Sequence, residues 1–299
     1  LTRVHETMLN SSERVLHAYL ETSLGDAWQS ASSQTNVDYL LDRKPFLRDA
    51  EFSHSLEEIG RGATGSESIR ARMTLDLERH PFLLDHSIGA DLSSFGTQGR
   101  VYLLPLMVAI EIMLETAALF FSTLLAILLR GMRADKRIGV GHDPVILIAS
   151  AIQISETSVE VSLSSSTEED AILASCQVRF ADRYPNAPAP AVYPKESVRS
   201  SRLSKLYGSQ SMFHGPRMQS VESIDLVSNK TIEGKIKARP ATNWFGDEQE
   251  NGDSTRFMLD PLLLDNLSQF VLYQMHEHEM PVTALLPFHI ASIDLFQTL

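Results

Sequence analysis

Three short segments carry side chains whose types suit proton transfer. The first runs from His80 to His86 (His-Pro-Phe-Leu-Leu-Asp-His), the second is Phe213-His-Gly-Pro, and the third runs from Asp260 to Gln269. A neutral imidazole is a base near neutral pH, and a carboxyl group kept protonated is a proton donor. A histidine and an aspartate that the fold brings together would therefore give one site both a base and an acid.

Asp265 is the candidate acid, and His86 is the candidate base. The neighbours of Asp265 in the sequence are four leucines, Leu262, Leu263, Leu264 and Leu267. This apolar setting favours a raised pKa for Asp265 through desolvation, whereas the nearby helix N-terminus favours the anion, so both directions stay open at this point. Gln269 lies one turn further on the same helix face, where its amide would orient the carboxyl group or hold a substrate hydroxyl.

Composition narrows the classes of protein open to this chain of 299 residues. Hydrophobic residues make up 43% and charged residues 21%, which is enough apolar sequence for a packed core. The 38 acidic and 26 basic residues give a net charge of −12, which would repel a phosphate backbone, so we expect no nucleic-acid partner. The single cysteine, Cys176, excludes an internal disulfide and favours a reducing, cytoplasmic compartment.

The longest apolar run, residues 109–129, predicts a helix buried in the core. It reads AIEIMLETAALFFSTLLAILL and is long enough to cross a bilayer. Two acidic residues, Glu111 and Glu115, lie in its first turns and favour a buried helix over a membrane span, so we expect no membrane partner. A basic cluster follows the predicted helix end directly and consists of Arg130, Arg133, Lys136 and Arg137.

Residues 1–66 differ in pattern from the rest of the chain. An irregular apolar stripe that begins at Val4 predicts an amphipathic helix up to about Leu24. Polar sequence follows, and a glycine-rich stretch at residues 60–66 is typical of a flexible turn. We interpret residues 1–66 as an N-terminal linker or docking segment.

Residues 67–299 contain two similar series of elements, each with strands and one long apolar helix. The first has a strand at 69–77, the helix, and strands at 145–154, 159–163 and 172–180. Beyond a proline-broken connector, the second has strands at 218–227 and 231–238, a helix from Pro261 to about His276, and a strand at 286–295. This order indicates an α+β fold built by duplication, with halves at 67–185 and 186–299.

Taken together, the three segments resemble the dehydratase domain of modular (type I) polyketide synthases and related multienzyme fatty acid synthases. They occur in that family's order, and the run Leu286-Pro-Phe-His-Ile-Ala-Ser-Ile follows them. The resemblance covers residues 69–299. It implies a double hotdog, in which two antiparallel sheets each curl round a long central helix.

The resemblance also implies an activity and a set of roles. Such domains remove water from a β-hydroxyacyl thioester carried on an acyl carrier protein and leave an α,β-unsaturated thioester. His86 would abstract the α-proton, and Asp265 would protonate the departing hydroxyl. The residues expected to bind the substrate are Pro105, His214, Gly215, Pro216 and Gln269, and those expected to form apolar tunnel walls are Leu104, Met107, Met212 and Phe213.

Acid–base chemistry of this kind implies no metal and no dissociable cofactor, because the substrate arrives on the phosphopantetheine of the carrier protein. The sequence contains no Walker loop, no G-x-S-x-G elbow and no H-E-x-x-H zinc pair. The implied partners are the acyl carrier protein, neighbouring synthase domains and a second copy of the chain in a homodimer. Since the net charge of −12 opposes an acidic carrier protein, the carrier would dock on the basic cluster.

The sequence departs from the family pattern at several positions. Ala90 stands where the first motif has glycine, and Leu106 replaces the glycine that follows the motif's proline. His214 replaces the usual tyrosine before Gly-Pro, and Asp260 stands where the helix commonly begins with histidine. We also expect the second half to lack its last strands, because the chain ends at Leu299.

These departures leave two alternatives to the dehydratase hypothesis open. One is a catalytically silent double-hotdog scaffold that packs neighbouring domains. The other is an isomerase or a cyclase of the same fold. The presence of both His86 and Asp265 favours dehydration over either alternative.

Overall fold

The computed structural model describes residues 2–7, 44–47, 49–57, 66–88, 101–141, 143–167, 171–189, 206–207, 213–227, 231–239, 244–245, 257–277 and 288–296. Its strands are β1 (Thr2–Thr7), β2 (Glu51–Glu57), β3 (Ser66–Leu75), β4 (Ser87–Ile88), β5 (Val101–Leu103), β6 (Leu125–Ala134), β7 (Gly139–Val140), β8 (Val145–Ser155), β9 (Ser158–Ser165), β10 (Ala174–Ala181), β11 (Val221–Val227), β12 (Thr231–Ile236) and β13 (His289–Asp294). The α-helices of these residues are α1 (Leu106–Ala117) and α2 (Pro261–Glu277), and short 3-10 turns occupy Pro81–Asp85, Ala118–Phe120 and Pro216–Met218.

The largest sheet has seven antiparallel strands in the order β13-β6-β10-β9-β8-β3-β2. Its strands alternate between a buried and an exposed face, as β10 illustrates. Cys176 and Val178 are buried there, whereas Gln177 and Arg179 between them are exposed. This alternation is the strand period that the sequence predicts, and it gives the sheet one apolar face.

Helix α1 lies on that apolar face, against β8, β9 and β10. Every residue from 107 to 117 is buried, so the helix is enclosed on all sides. A helix that is apolar all round is typical of the centre of a core. Along the described residues, no helix combines the length and the apolar character needed to cross a membrane.

The predicted helix over residues 109–129 is correct only as far as Ala117. Leu125–Ala134 is strand β6, which pairs with β10 and β13. The error arises because a strand buried on both faces shows a continuous apolar run, which periodicity does not distinguish from a buried helix. The basic cluster therefore does not follow a helix end. Arg130 and Arg133 lie on β6, and the other two members follow that strand.

A second sheet has three antiparallel strands in the order β1-β12-β11, and helix α2 packs against β12. The helix and the strand approach closely at Gly234. A Cβ atom there would lie 2.7 Å from the ring of Phe270, so only glycine fits without displacement. The two helices also contact each other, which joins the two packed units.

The amphipathic helix predicted from Val4 is wrong for residues 2–7, because Thr2–Thr7 forms β1 and pairs with β12. Two other parts of residues 1–66 also pack into the fold. Phe46 and Leu47 are buried, and Glu51–Glu57 forms β2, which pairs with β3. The remainder of this segment lies outside the described residues, and its role as a linker stays a prediction.

The other predicted strands and the predicted second helix are confirmed, with ends that differ by a few residues. One strand crosses the predicted division of the chain. β13 comes from the second half but pairs with β6 at the edge of the seven-stranded sheet. The halves therefore share a sheet, and the boundaries between them stay a prediction.

Two buried carboxyl groups of α1 hold neighbouring loops onto the core. Glu111 accepts hydrogen bonds from the backbone N–H groups of Met258 and Leu259, directly before α2. Glu115 accepts them from the backbone of residues 46–47. Burial raises the pKa of Glu111 to about 8, against the two backbone hydrogen bonds that favour the anion. Glu111 thus fixes the start of α2 relative to α1.

We expect Glu111→Ala to lower the free energy of unfolding by about 3 kcal/mol, because two buried N–H groups lose their acceptor and a cavity replaces the side chain. Urea denaturation followed by circular dichroism measures this change. Glu160→Ala, on the exposed face of β9, is the matched control and should change stability by about 0.5 kcal/mol or less. Equal stability losses in the two variants would contradict this role of Glu111.

Candidate active site

His86 follows the 3-10 turn Pro81–Asp85 and precedes β4, and it is 3% exposed. Its Nδ1 lies 2.8 Å from the carbonyl oxygen of Leu103. Because a carbonyl oxygen only accepts, Nδ1 carries the proton and Nε2 of the neutral ring keeps a free lone pair. Burial lowers the pKa of His86 to about 4, so the ring is neutral at neutral pH. This state is the one that a general base requires.

Asp265 lies in the second turn of α2 and is 6% exposed. The start of the helix is fixed by Asp260, whose Oδ1 accepts hydrogen bonds from the N–H groups of Leu262 and Leu263 at 2.9 and 3.2 Å. Asp260 therefore caps the helix at the position where the family commonly has histidine. Next to Asp265, the buried Asn266 accepts from the backbone of Ser220 at 2.9 Å. Asn266 thereby ties α2 to the loop before β11.

Two side chains donate hydrogen bonds to the same oxygen of Asp265. His214 Nε2 lies 3.0 Å from Oδ2, and Gln269 Nε2 lies 3.2 Å from it. Gln269 also donates to the backbone oxygen of Met218 at 3.0 Å. Its amide thus orients the carboxylate, which is one of the two roles that the sequence left open.

The structure adds further partners to the two opposing effects on the pKa of Asp265 that the sequence left in balance. Burial does raise its pKa, as the leucines suggest. The interaction and hydrogen bond with His214 and the hydrogen bond of Gln269 outweigh burial, and the pKa lies below its ordinary value. The sequence identified Gln269 as a partner of Asp265 but not the contact with His214, because His214 lies far from Asp265 along the chain.

The turn that carries His214 is fastened to the turn that carries His86. The two histidines form an isolated antiparallel β-bridge, and the N–H of Gly215 donates to the backbone oxygen of Asp85 at 2.7 Å. The carboxylate of Asp85 accepts from the backbone N–H and the guanidinium of Arg217 at 3.1 and 3.2 Å. Asp85 thus sets the spacing of the two imidazoles, a role that the sequence analysis missed.

Gly215 packs so closely on Asp85 that it has no room for a side chain. A Cβ atom at this position would lie 2.6 Å from Cγ and 2.8 Å from Cβ of Asp85. We expect Gly215→Ala to lower the free energy of unfolding by about 1–3 kcal/mol through overpacking. The matched control is Gly139→Ala, because nothing lies within 4 Å of the added Cβ there. Chemical denaturation of both variants checks this, and a Gly215→Ala protein as stable as the control would contradict it.

His86, His214 and Asp265 line one cavity, together with Leu104 and Phe213. The cavity therefore contains two of the four apolar wall residues predicted from the sequence. Met107 packs in the core instead, and Met212 lies outside the described residues, as Ala90 does.

Four of the predicted substrate-binding residues, namely Pro105, Gly215, Pro216 and Gln269, do not appear among the described residues that line this cavity. Pro105 is the buried residue that precedes α1. Gly215 packs on Asp85 and Gln269 orients the carboxylate, as described above, and Pro216 begins the 3-10 turn Pro216–Met218. His214 does line the cavity, and it contacts Asp265 there.

Two members of the basic cluster also reach this cavity. Lys136 and Arg137 line it, and both are exposed at its rim. Arg133 lies nearby on β6 and forms an ion pair with Asp135 at 3.2 Å. The cavity thus has an acid–base group at its inner end and positive charge at its opening.

A known family model and several solved structures are similar to this chain. Residues 184–299 match the family model of the polyketide synthase dehydratase N-terminal domain. The resemblance to polyketide synthase dehydratases is confirmed. No curated protein sequence matches the chain.

Solved polyketide synthase dehydratase structures share the fold. The dehydratase domain of the CurK module of curacin polyketide synthase is 16% identical, with a TM-score of 0.57 over 85% of this chain and 84% of that one. The domain of the CurF module is 15% identical, with a TM-score of 0.58 over 82% and 83%. The dehydratase domain of a mycocerosic acid synthase-like polyketide synthase is 14% identical, with a TM-score of 0.58 over 85% of this chain and 82% of that one. At this identity, these matches establish the dehydratase fold.

Proposed function

We propose that this protein removes water from a β-hydroxyacyl thioester on an acyl carrier protein and leaves an α,β-unsaturated thioester. One observation carries the proposal. His86 from the first half of the chain and Asp265 from the second lie in the same cavity, with a ring nitrogen and a carboxylate oxygen within 4.8 Å of each other. In the CurK dehydratase, one inactive mutant carries phenylalanine for histidine and another carries asparagine for aspartate.

His86 acts as the base in this proposal. Its free lone pair on Nε2 takes the α-proton of the thioester, and the hydrogen bond from Nδ1 to Leu103 holds the ring in the required tautomer and orientation. The low pKa makes His86 a weak base. The thioester carbonyl compensates for this, because it acidifies the α-proton.

The acid is the hydrogen-bonded pair of His214 and Asp265. The pair holds one transferable proton, which the 3.0 Å hydrogen bond between His214 Nε2 and Asp265 Oδ2 shares, and this proton serves the leaving hydroxyl. As the C–O bond breaks, Asp265 passes this proton to the oxygen and water leaves. The proton gained by His86 then returns to the pair, which restores the starting state and balances the reaction.

The double-hotdog architecture and the partners that the family implies are part of the same proposal. The seven-stranded sheet with α1 forms one hotdog, and the second sheet with α2 forms the other. Acidic groups of the carrier protein contact Arg130 and Arg133, and the phosphopantetheine arm enters past Lys136 and Arg137. The neighbouring domains of a synthase, a second copy in a homodimer, the absence of a cofactor and a cytoplasmic location stay proposals of the same kind.

A direct assay tests this function. The full chain is incubated with β-hydroxyacyl pantetheine thioesters of both hydroxyl configurations and several chain lengths, and mass spectrometry follows the loss of water. We expect one configuration to be converted to the unsaturated thioester. A folded protein that converts none of them would overturn the proposal and favour the scaffold. A product of unchanged mass would favour the isomerase or the cyclase.

A further inference from the structure

Besides His86 and Asp265, the cavity contains His214, a third side chain that could bind a metal ion. His86, His214 and Asp265 each offer one donor atom, and these atoms all lie within 4.8 Å of one another. All three side chains are buried, at 3%, 6% and 6% exposure. His214 supplies the second imidazole because this chain has histidine where the dehydratase family commonly has tyrosine.

Two imidazoles and one carboxylate form a donor set that suits zinc and neighbouring transition metals. Ligand atoms of a tetrahedral zinc site lie about 3.4 Å apart when the bonds are about 2.1 Å long. His214 Nε2 and Asp265 Oδ2, at 3.0 Å, are already near this spacing. Because all three donor atoms lie within 4.8 Å of one another, a shift of His86 by at most about 1.4 Å completes the site. The cavity leaves a fourth position for water or another ligand.

The supporting contacts also match those of a metal site. Metal-bound histidines usually donate their other ring N–H to a carbonyl or carboxylate oxygen, as His86 does to Leu103. Lys136 and Arg137 on the cavity wall oppose a cation, so we expect weaker binding than at a dedicated zinc site.

We propose that His86, His214 and Asp265 bind one divalent transition-metal ion, zinc or cobalt, in the cavity. The ion occupies the lone pair of His86 and the oxygen of Asp265, so it competes with dehydration. The binding itself does not depend on the proposed function, whereas the inhibition rests on it.

Binding is measured with Co²⁺ by visible absorption and with Zn²⁺ by calorimetry on the full chain, after chelator treatment. We expect the wild type to bind one ion, with the intense absorption of tetrahedral Co²⁺. His214→Tyr introduces the family residue and removes one ligand, so the affinity should fall by at least about 100-fold. Asp265→Asn, which changes the shape of the site least, should weaken binding in the same way. The matched control is His289→Ala, an exposed histidine on β13, which should bind as the wild type does.

Three outcomes would overturn the proposal. They are a wild type that binds no ion, a His214→Tyr protein that binds as tightly as the wild type, and a loss of binding in His289→Ala alone. If the wild type binds Co²⁺ but dehydrates nothing in metal-free buffer, the metal site stands and the proposed function fails. If it dehydrates thioesters, added Zn²⁺ should inhibit the wild type at lower concentration than it inhibits any active His214→Tyr protein.

Discussion

His86→Phe is expected to lower kcat/KM for dehydration by about 100- to 10,000-fold, the usual contribution of a positioned general base. Phenylalanine fills the space of the imidazole but has no lone pair to accept the α-proton. The hydrogen bond to Leu103 is also lost, at a cost of about 1 kcal/mol in stability. Turnover of a β-hydroxyacyl pantetheine thioester measures the first effect, and thermal denaturation measures the second.

His80→Phe is the matched control for this change. His80 is also buried, at 8% exposure, but it packs among the rings of Phe46, Phe82 and Phe245 outside the cavity. The His80→Phe variant should keep kcat/KM within about threefold of the wild type, because among the described residues His80 contacts no group of the site. A folded His86→Phe protein with the wild-type rate would show that His86 is not the base.

Asp265→Asn is expected to lower kcat/KM by a similar factor, about 100- to 10,000-fold. The amide has nearly the same shape as the carboxylate, so the helix should remain in place. It does not carry a proton from His214 to the leaving hydroxyl, because the amide is not an acid in this pH range. Steady-state kinetics and circular dichroism together separate lost chemistry from lost folding.

Asp260→Asn offers the same chemical change at the residue that caps the N-terminus of α2. Asparagine caps helices as well as aspartate does, so its side-chain oxygen keeps the bonds to Leu262 and Leu263. We expect near wild-type activity and stability for this variant. An active Asp265→Asn protein, or equal losses in the two variants, would contradict the role assigned to Asp265.

Much of the fold follows from local patterns. The alternation in β3, β9 and β10 identifies these strands, because each buries one face, and the apolar run of α2 identifies a buried helix. The apolar run after residue 117 was misread as helix because residues 126–129 of β6 are all buried and show no alternation. The pairing of β1 with β12 and of β13 with β6 joins distant parts of the chain, which no local pattern indicates.

At the site, too, the sequence identified some residues, whereas tertiary packing determined their partners. His86 and Asp265 stood out because residue type and order matched a family, and the structure brings them into one cavity. The partners that set their properties came only from the fold. His214 lies 3.0 Å from Asp265, and Asp85 joins the two turns that carry the histidines. These contacts depend on tertiary packing, and so the direction of the pKa shift of Asp265 was not predictable from the leucines beside it.

The most direct test of the dehydratase assignment is the fate of the α-hydrogen. A β-hydroxyacyl pantetheine thioester with both α-hydrogens replaced by deuterium is incubated with the wild-type chain in ordinary water and examined by mass spectrometry. We predict an unsaturated thioester that has lost the hydroxyl and one deuterium and has kept the other, with His86→Phe giving no such product. An unchanged thioester, or a product that keeps the hydroxyl oxygen, would contradict the account.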